Sequence, residues 1–133
     1  MFITLSKLIE ARVPARDVDA FRAHFASCAE VTHSLCVGSS HIVDWRIIAI
    51  RVLSEKGLRL FRAACKRIDA RHDESFKLAA NAHYARCREL LRGPERPHSV
   101  TAPVFGLDVY GAQARLRAQY AALFAATYNR EIA

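Results

Sequence analysis

The 133-residue sequence predicts an all-α domain in which four or five helices form a compact, bundle-like unit. Its length suits a single helical domain with its own core, extending over residues 1–133. Hydrophobic residues make up 52% of the chain and charged residues 25%, which is typical of a globular protein. Between Ile42 and Leu91, apolar and small residues recur three, four or seven positions apart. This periodicity indicates long helices that each bury one side.

The first thirty residues contain one ambiguous element and one clear helix. From Phe2 to Val13, the apolar residues fit a helix capped by Thr4 or Ser6, and they also fit one face of a strand. Residues 14–31 are predicted to form a helix that buries Val18, Phe21, Phe25, Cys28 and Val31.

The apolar block from Ile42 to Leu53 follows a turn predicted at residues 37–40. Its β-branched residues favour a strand, whereas Asp44 is placed to cap a helix that begins at Trp45. The alternative to the all-α fold is therefore an α+β fold, with strands near residues 2–13, 31–37 and 42–53.

The middle of the chain is predicted to form an antiparallel pair of core helices at residues 54–71 and 74–92. Asp73 fits the N-cap of the second helix, and Gly93 follows at a position where left-handed C-caps are common. Residues 71–73 are either a break between two helices or an exposed turn of one continuous helix.

The last forty residues are predicted to form an extended connector and a C-terminal helix. Three of the four prolines fall within residues 93–108, and loops of this length are often contact segments. The final helix is predicted from Val109 to Glu131, with an apolar side made of Tyr110, Leu116, Tyr120, Leu123, Phe124, Thr127 and Ile132.

The positive charge is concentrated in the middle of the chain. The formal net charge is +7, and residues 45–117 contain 15 Lys and Arg against 7 Asp and Glu. Arginine binds carboxylate and phosphate groups in bidentate fashion, although high-GC codon usage would also raise the arginine content. The candidate interaction face on the 56–71 helix consists of Lys56, Arg59, Arg62, Lys66, Arg67 and Arg71. This face is interpreted as a protein interface, a nucleic-acid contact or a solvated surface.

The cysteines and histidines favour a structural interpretation. Two spacings are candidate sites: a zinc set of His24, Cys28, His33 and Cys36, and a nucleophile pair of His83 and Cys87. The first lacks the tight ligand pairs of known zinc fingers, and the second has no oxyanion turn or third catalytic group. The sequence therefore predicts four free cysteines, with no metal site, no catalytic residue and no cofactor. Free cysteines indicate a reducing compartment, either the cytoplasm or the mitochondrial matrix.

No phosphate-binding glycine loop, HExxH motif or calcium loop is present in the sequence, and no apolar run reaches the length of a membrane span. The expected function is that of a non-enzymatic interaction or structural subunit. It would dock into a larger assembly of proteins through Arg-rich and apolar helix faces. The alternative is a small nucleic-acid-binding protein that uses the 56–71 face.

Overall fold

A computed structural model of the chain describes residues 1–92 and 109–132 and confirms the predicted helical fold class. The predicted connector at residues 93–108 lies outside the described residues. The elements follow in the order β1 (Phe2–Thr4), α1 (Leu5–Glu10), α2 (Ala15–Phe25), β2 (Cys28–Glu30), α3 (His33–Gly38), α4 (Trp45–Val52), α5 (Glu55–Arg92) and α6 (Val109–Ile132).

Both interpretations of residues 2–13 hold in part, because a short strand leads directly into a helix. Residues 2–4 form β1, and Thr4 then caps α1 by accepting a hydrogen bond from the Lys7 amide at 3.2 Å. The β1 strand is the part of the α+β alternative that the structure contains. The alternative strands at 31–37 and 42–53 are wrong.

The helix predicted at residues 14–31 is too long. It ends at Phe25, where Ala26 adopts a positive φ of 60° that breaks the helical path. Residues 28–30 then form β2, which pairs antiparallel with β1 so that Ile3 lies opposite Ala29. Both of these residues are buried. Pairing with β1 gives hydrogen-bond partners to the backbone groups of residues 28–30, which a longer α2 would have paired within the helix.

Side-chain caps explain why two helices, α3 and α4, form within residues 31–53 in spite of their β-branched residues. Thr32 accepts a hydrogen bond from the Leu35 amide at 3.1 Å and starts α3, whose last residues overlap the turn predicted at 37–40. The predicted cap Asp44 accepts from the amides of Arg46 and Ile47 at 3.1 and 3.3 Å, and α4 begins at Trp45. Each cap satisfies amide groups that have no partner within the helix.

The predicted antiparallel pair of helices at 54–71 and 74–92 is wrong, because both stretches belong to one helix, α5. From Leu58 to Arg92 the sequence contains neither Gly nor Pro, so nothing interrupts the helical hydrogen bonds. Asp73 is an exposed residue inside this helix rather than an N-cap. With 38 residues, α5 is about 57 Å long at 1.5 Å per residue.

The C-terminal helix α6 lies at the centre of the fold, packed against α3, α4 and α5. Its predicted bounds agree closely with Val109–Ile132, but its predicted apolar side is only partly right. Tyr110 is 89% exposed and Ile132 is 42% exposed, whereas the buried residues are Ala112, Tyr120, Ala121, Phe124, Ala125 and Tyr128. A helix with neighbours on more than one side does not show a single apolar stripe. Which of its residues are buried is therefore hard to predict from sequence.

Aromatic packing joins the N-terminal elements to α6. The Trp45 ring stacks on Phe124 with the centroids 5.2 Å apart, and Phe21 meets Trp45 edge-on at 6.4 Å. The Trp45 indole Nε1 donates a hydrogen bond to the Ser39 Oγ at 3.0 Å, so its polar atom is satisfied inside the core.

The α5 and α6 helices run antiparallel and differ in burial along their length. The α6 residues Tyr120 and Glu131 contact Asp69 and Ser54, so the start of α5 lies beside the end of α6. Residues 55–69, here called the embedded half of α5, include the fully buried Phe61. Residues 70–90, the outer half, contain no fully buried residue.

Candidate functional site

The six cations of the predicted interaction face are all exposed on α5, but they do not form one surface. Arg59, Arg62 and Lys66 are spaced three and four apart on the outward side of the helix. The other three, Lys56, Arg67 and Arg71, line depressions between α5 and α6. We call the first set the outward trio and the second set the groove trio.

The first depression lies between the embedded half of α5 and the end of α6, with a volume of about 840 Å³. Its α5 wall consists of Lys56, Gly57, Leu60, Ala64 and Arg67, and its α6 wall consists of Leu123, Thr127, Arg130, Glu131 and Ile132. Two large apolar side chains of this set remain in contact with solvent: Leu60 is 61% exposed and Ile132 is 42% exposed. Their exposure leaves an apolar surface without a described partner.

The second depression lies farther along the same two helices and has a volume of about 700 Å³. It is lined from α5 by Arg71, His72, Ser75, Phe76, Ala79, Ala82 and Arg86, and from α6 by Ala112, Arg115 and Gln119. Alanines on both helices, Ala79 and Ala82 on α5 and Ala112 on α6, give its floor small apolar side chains.

The two depressions follow one another along one flank of α5. Lining residues recur every three or four positions from Lys56 to Arg86: Lys56, Leu60, Ala64, Arg67, Arg71, Ser75, Ala79, Ala82 and Arg86. This spacing places them in one row on the helix surface, about 45 Å long at 1.5 Å per residue. We call the combined feature the seam groove.

The seam groove is strongly basic. Its lining includes six Lys or Arg side chains, which are Lys56, Arg67, Arg71, Arg86, Arg115 and Arg130, and one carboxylate, Glu131. That carboxylate is engaged at the start of α5, where it accepts hydrogen bonds from the Ser54 amide at 3.1 Å and the Ser54 hydroxyl at 2.5 Å. A negative charge there also stabilises the positive end of the α5 dipole. The cations therefore set the potential over the rest of the groove.

Gly57 makes this capping arrangement possible. Its amide donates to the Ser54 Oγ at 3.1 Å, and a Cβ atom at position 57 would overlap the Glu131 carboxylate. The absence of a side chain thus leaves room for the Glu131 side chain to reach the start of α5.

The opposite flank of α5 holds a polar network that fixes how the two helices meet. The Tyr120 hydroxyl donates to Asp69, and Arg46 of α4 donates to the same hydroxyl at 3.1 Å. Arg46 also lies 3.7 Å from Asp69 and stacks over the Tyr120 ring at 4.6 Å. Burial, together with the hydrogen bond to Asp69, raises the pKa of Tyr120 well above its usual value. The phenol therefore stays neutral and serves as a structural link among three helices.

The cysteines occupy unlike environments. Cys36 and Cys65 are buried and Cys87 is half-buried, but Cys28 is exposed, contrary to its predicted place in a buried stripe. Burial raises the pKa of the Cys36 thiol to about 12 and also raises the pKa of Cys65, so neither is a thiolate at neutral pH.

Of the two candidate sets of His and Cys residues, only the second is brought together in the structure. Cys36 is buried on α3, and His33 is exposed at the start of the same helix. His24 on α2 and Cys28 on β2 are also exposed. His83 and Cys87 are close, with Nε2 and Sγ 3.7 Å apart. Across residues 1–92 and 109–132, no group of three or more His, Cys, Asp or Glu side chains is arranged to hold a metal ion.

Sequence reasoning missed the α6 side of the groove and its apolar floor. Leu60 carries the signal that was available, because it is a large apolar residue that lies off the buried stripe of Phe61, Cys65 and Ile68. Arg115 and Arg130 offered no such signal, since their closeness to α5 depends on how α6 packs.

Comparison with known proteins assigns no family, since no family model, curated protein or solved structure matches the chain. None of the helices in the described part of the chain combines the length and apolarity needed to cross a membrane.

Proposed function

We propose that this protein is a non-enzymatic docking subunit, which binds a partner protein along the seam groove as part of a larger assembly. The observation that carries the proposal is the combination of exposed Leu60 and Ile132 with Lys56, Arg67 and Arg130 on one surface. Protein interfaces typically join an apolar centre to a polar rim in which arginine is enriched. In this arrangement, a partner covers the apolar floor while the cations pair with its acidic groups.

The outward trio supports an alternative function, nucleic-acid binding. Arg59, Arg62 and Lys66 are exposed on one side of α5. The guanidinium of Arg59 lies 3.9 Å from the carboxylate of Glu55, and both side chains are exposed. Such a row of cations suits a phosphate backbone. It has no apolar or aromatic component on which bases would stack, and the groove is therefore the favoured site.

The state of the cysteines supports a reducing compartment for this function, in the cytoplasm or the mitochondrial matrix. All four cysteines are free, and one of them, Cys28, is exposed. An exposed free thiol is best maintained where glutathione and thioredoxin keep cysteines reduced.

Site-specific photo-crosslinking in the source cells tests the docking function. A photoreactive residue replaces Leu60 in the groove, and the matched control places it at Arg62, an exposed residue two positions along on the outward side. We expect a discrete adduct from position 60 that protease removes and nuclease does not. Equal yields from both positions, or an adduct that nuclease removes, would contradict docking of a protein in the groove.

Salt dependence tests the nucleic-acid alternative. If the outward trio contacts phosphates, affinity for RNA or DNA falls with a log–log salt slope of roughly 0.7–0.9 per contact. Replacing Arg59, Arg62 and Lys66 by Gln would then flatten the slope. The docking proposal predicts weak nucleic-acid binding that this replacement leaves unchanged.

A further inference from the structure

We infer that the partner contributes an acidic amphipathic helix, which lies along the seam groove between α5 and α6. This inference rests on the proposed docking function and names the kind of segment that is bound. It follows from the shape of the groove, the chemistry of its floor and the sign of its charge.

The shape of the groove suits a third helix. The groove is bounded by two antiparallel helices, and its α5 residues recur at intervals of three and four. Side chains of another helix, spaced in the same way, pack between such rows as knobs into holes. The α5 row of about 45 Å matches a helix of up to roughly 30 residues.

The floor of the groove requires an apolar face on the bound helix. Leu60, Ala64 and Leu123 lie at one end, and Phe76, Ala79 and Ala112 lie at the other. Alanines let another backbone approach closely, while Leu60 offers a side chain that projects into solvent. An amphipathic helix with apolar residues at i, i+3, i+4 and i+7 is the recognition mode that fits such a floor.

The charges along the rim determine the sign of the partner. Six cations border the groove and its one carboxylate is engaged at Ser54, so acidic residues beside the apolar face of the bound helix are favoured. Basic residues at the same positions are disfavoured by like-charge repulsion. The same reasoning argues against a second copy of this chain as the occupant, because its long helix α5 is itself basic on its exposed sides.

A nucleic-acid strand fits these observations less well. It would pair with the cations, but its sugar–phosphate backbone would leave Leu60 and Ile132 without an apolar partner. An amphipathic helix satisfies both features at once.

Selection from a charge-unbiased peptide library tests the inference directly. The probe is a display library of 28-residue helices, in which apolar residues are fixed at heptad positions and every flanking position is drawn equally from Glu, Lys and Gln (a length of about 42 Å). We expect selection on the wild-type protein to enrich Glu beside the apolar face. Circular dichroism should show that the enriched peptides become helical when bound.

Two charge-reversal variants identify the surface involved. In Lys56→Glu/Arg67→Glu/Arg130→Glu, the groove rim changes sign, and the selected acidic peptides should bind at least about tenfold more weakly, with Lys enriched on reselection. In Arg59→Glu/Arg62→Glu/Lys66→Glu, the same charge change falls on the outward trio, and binding should remain within about twofold. Far-UV circular dichroism of both variants establishes that they fold.

The outcomes separate this inference from the docking function. The acidic helix would be overturned if selection on the wild-type protein enriched Lys, showed no charge preference or enriched no peptide. A protein adduct at position 60 would still support the docking function in that case. Equal loss in both triple variants would show binding by net charge alone and would also overturn the inference. Competition by RNA at equimolar concentration would assign the groove to nucleic acid instead.

Discussion

Both halves of α5 pack beside α6, but they differ in how deeply their side chains are buried. In the embedded half, Phe61 and Cys65 are buried against a core to which α4 and α6 also contribute. In the outer half, α5 has a half-buried stripe that includes Phe76 and Cys87, and most other residues face solvent. We infer from this difference in burial that the embedded half stabilises the fold, whereas the outer half extends the surface of the seam groove beyond the core.

Truncating one phenylalanine in each half should give the largest difference. Phe61→Ala removes a fully buried ring and should lower the free energy of unfolding by about 3–5 kcal/mol. Phe76→Ala removes a half-buried ring and should lower it by about 1–2 kcal/mol, because less apolar area is lost. Urea denaturation followed by circular dichroism measures both. Equal losses would mean that the two halves belong to one uniformly packed core.

Thiol labelling compares how readily each half of α5 opens locally in the native protein. Cys65 is buried in the embedded half and Cys87 is half-buried in the outer half, so Cys87 should be alkylated at least about 100-fold faster in the native protein. Mass spectrometry of the labelled peptides gives each rate. Exposed Cys28 serves as the fast reference, and unfolded protein prepared without reductant should yield four free thiols. Comparable rates at Cys65 and Cys87 would contradict the division.

Removing the cap at the start of the embedded half should have an intermediate effect. Glu131→Ala deletes the carboxylate that accepts from Ser54, and should lower the free energy of unfolding by about 1 kcal/mol. Glu89→Ala changes an exposed carboxylate in the outer half and should stay within about 0.5 kcal/mol. Thermal unfolding of the two variants checks the difference, and an effect of Glu89→Ala as large as that of Glu131→Ala would refute it.

Gly57 provides an internal check on the same cap. Gly57→Ala alone forces the Glu131 carboxylate aside, which offsets the gain of about 0.5–1 kcal/mol that alanine brings to a helix. In the Glu131→Ala background the overlap is gone, and the same change should then be stabilising. Additive effects of the two substitutions would show that the side chains do not interact.

The smallest effect concerns a buried carboxyl on α2, outside both halves of α5. Burial raises the pKa of Asp17, assisted by the nearby Asp44, while Arg16 and Arg117 oppose the shift. Because the folded state holds this proton more tightly than the unfolded chain, the group's contribution to stability falls as pH rises through the raised pKa. Asp17→Asn should therefore stabilise the protein at pH 7 by less than about 1 kcal/mol, and the gain should vanish near pH 3. Urea denaturation at several pH values tests this, with exposed Asp19→Asn as the control. A loss of stability at pH 7 would contradict it.

The sequence anticipated features that depend on neighbouring residues and missed those that depend on distant ones. Thr4, as an alternative to Ser6, and Asp44, as an alternative to a strand, could be proposed as caps because a cap is a local hydrogen bond. The strand at Cys28–Glu30 was missed because its partner, Phe2–Thr4, is about 26 residues away. Of the two alternatives at residues 71–73, the continuous helix is correct. The sequence could not decide between them, because an Asp that caps a helix and an Asp on an exposed helix face look alike in sequence.

The seam groove, like the fold, could be predicted from the sequence only in part. The spacing along α5 identifies the cations on it, but only the packing of α6 shows which of them border a groove. The sequence therefore grouped Arg62 and Arg67 as one face, although the structure places them on different sides of the helix. The α6 contributions, such as Arg130, follow from the antiparallel register, which Asp69 and Tyr120 help to fix.

Hydroxyl-radical footprinting of the assembled protein tests the central claim, that the seam groove is a docking surface. The assembly purified from source cells is compared with the isolated chain, and modification of Leu60 in the groove is measured against modification of Ile9 on α1. Both side chains are more than half exposed in the isolated chain, at 61% and 54%. The account predicts that modification of Leu60 falls several-fold in the assembly while Ile9 is unchanged. Unchanged Leu60 within an assembly, or migration of the chain from source cells only as the 14.9 kDa monomer, would contradict it.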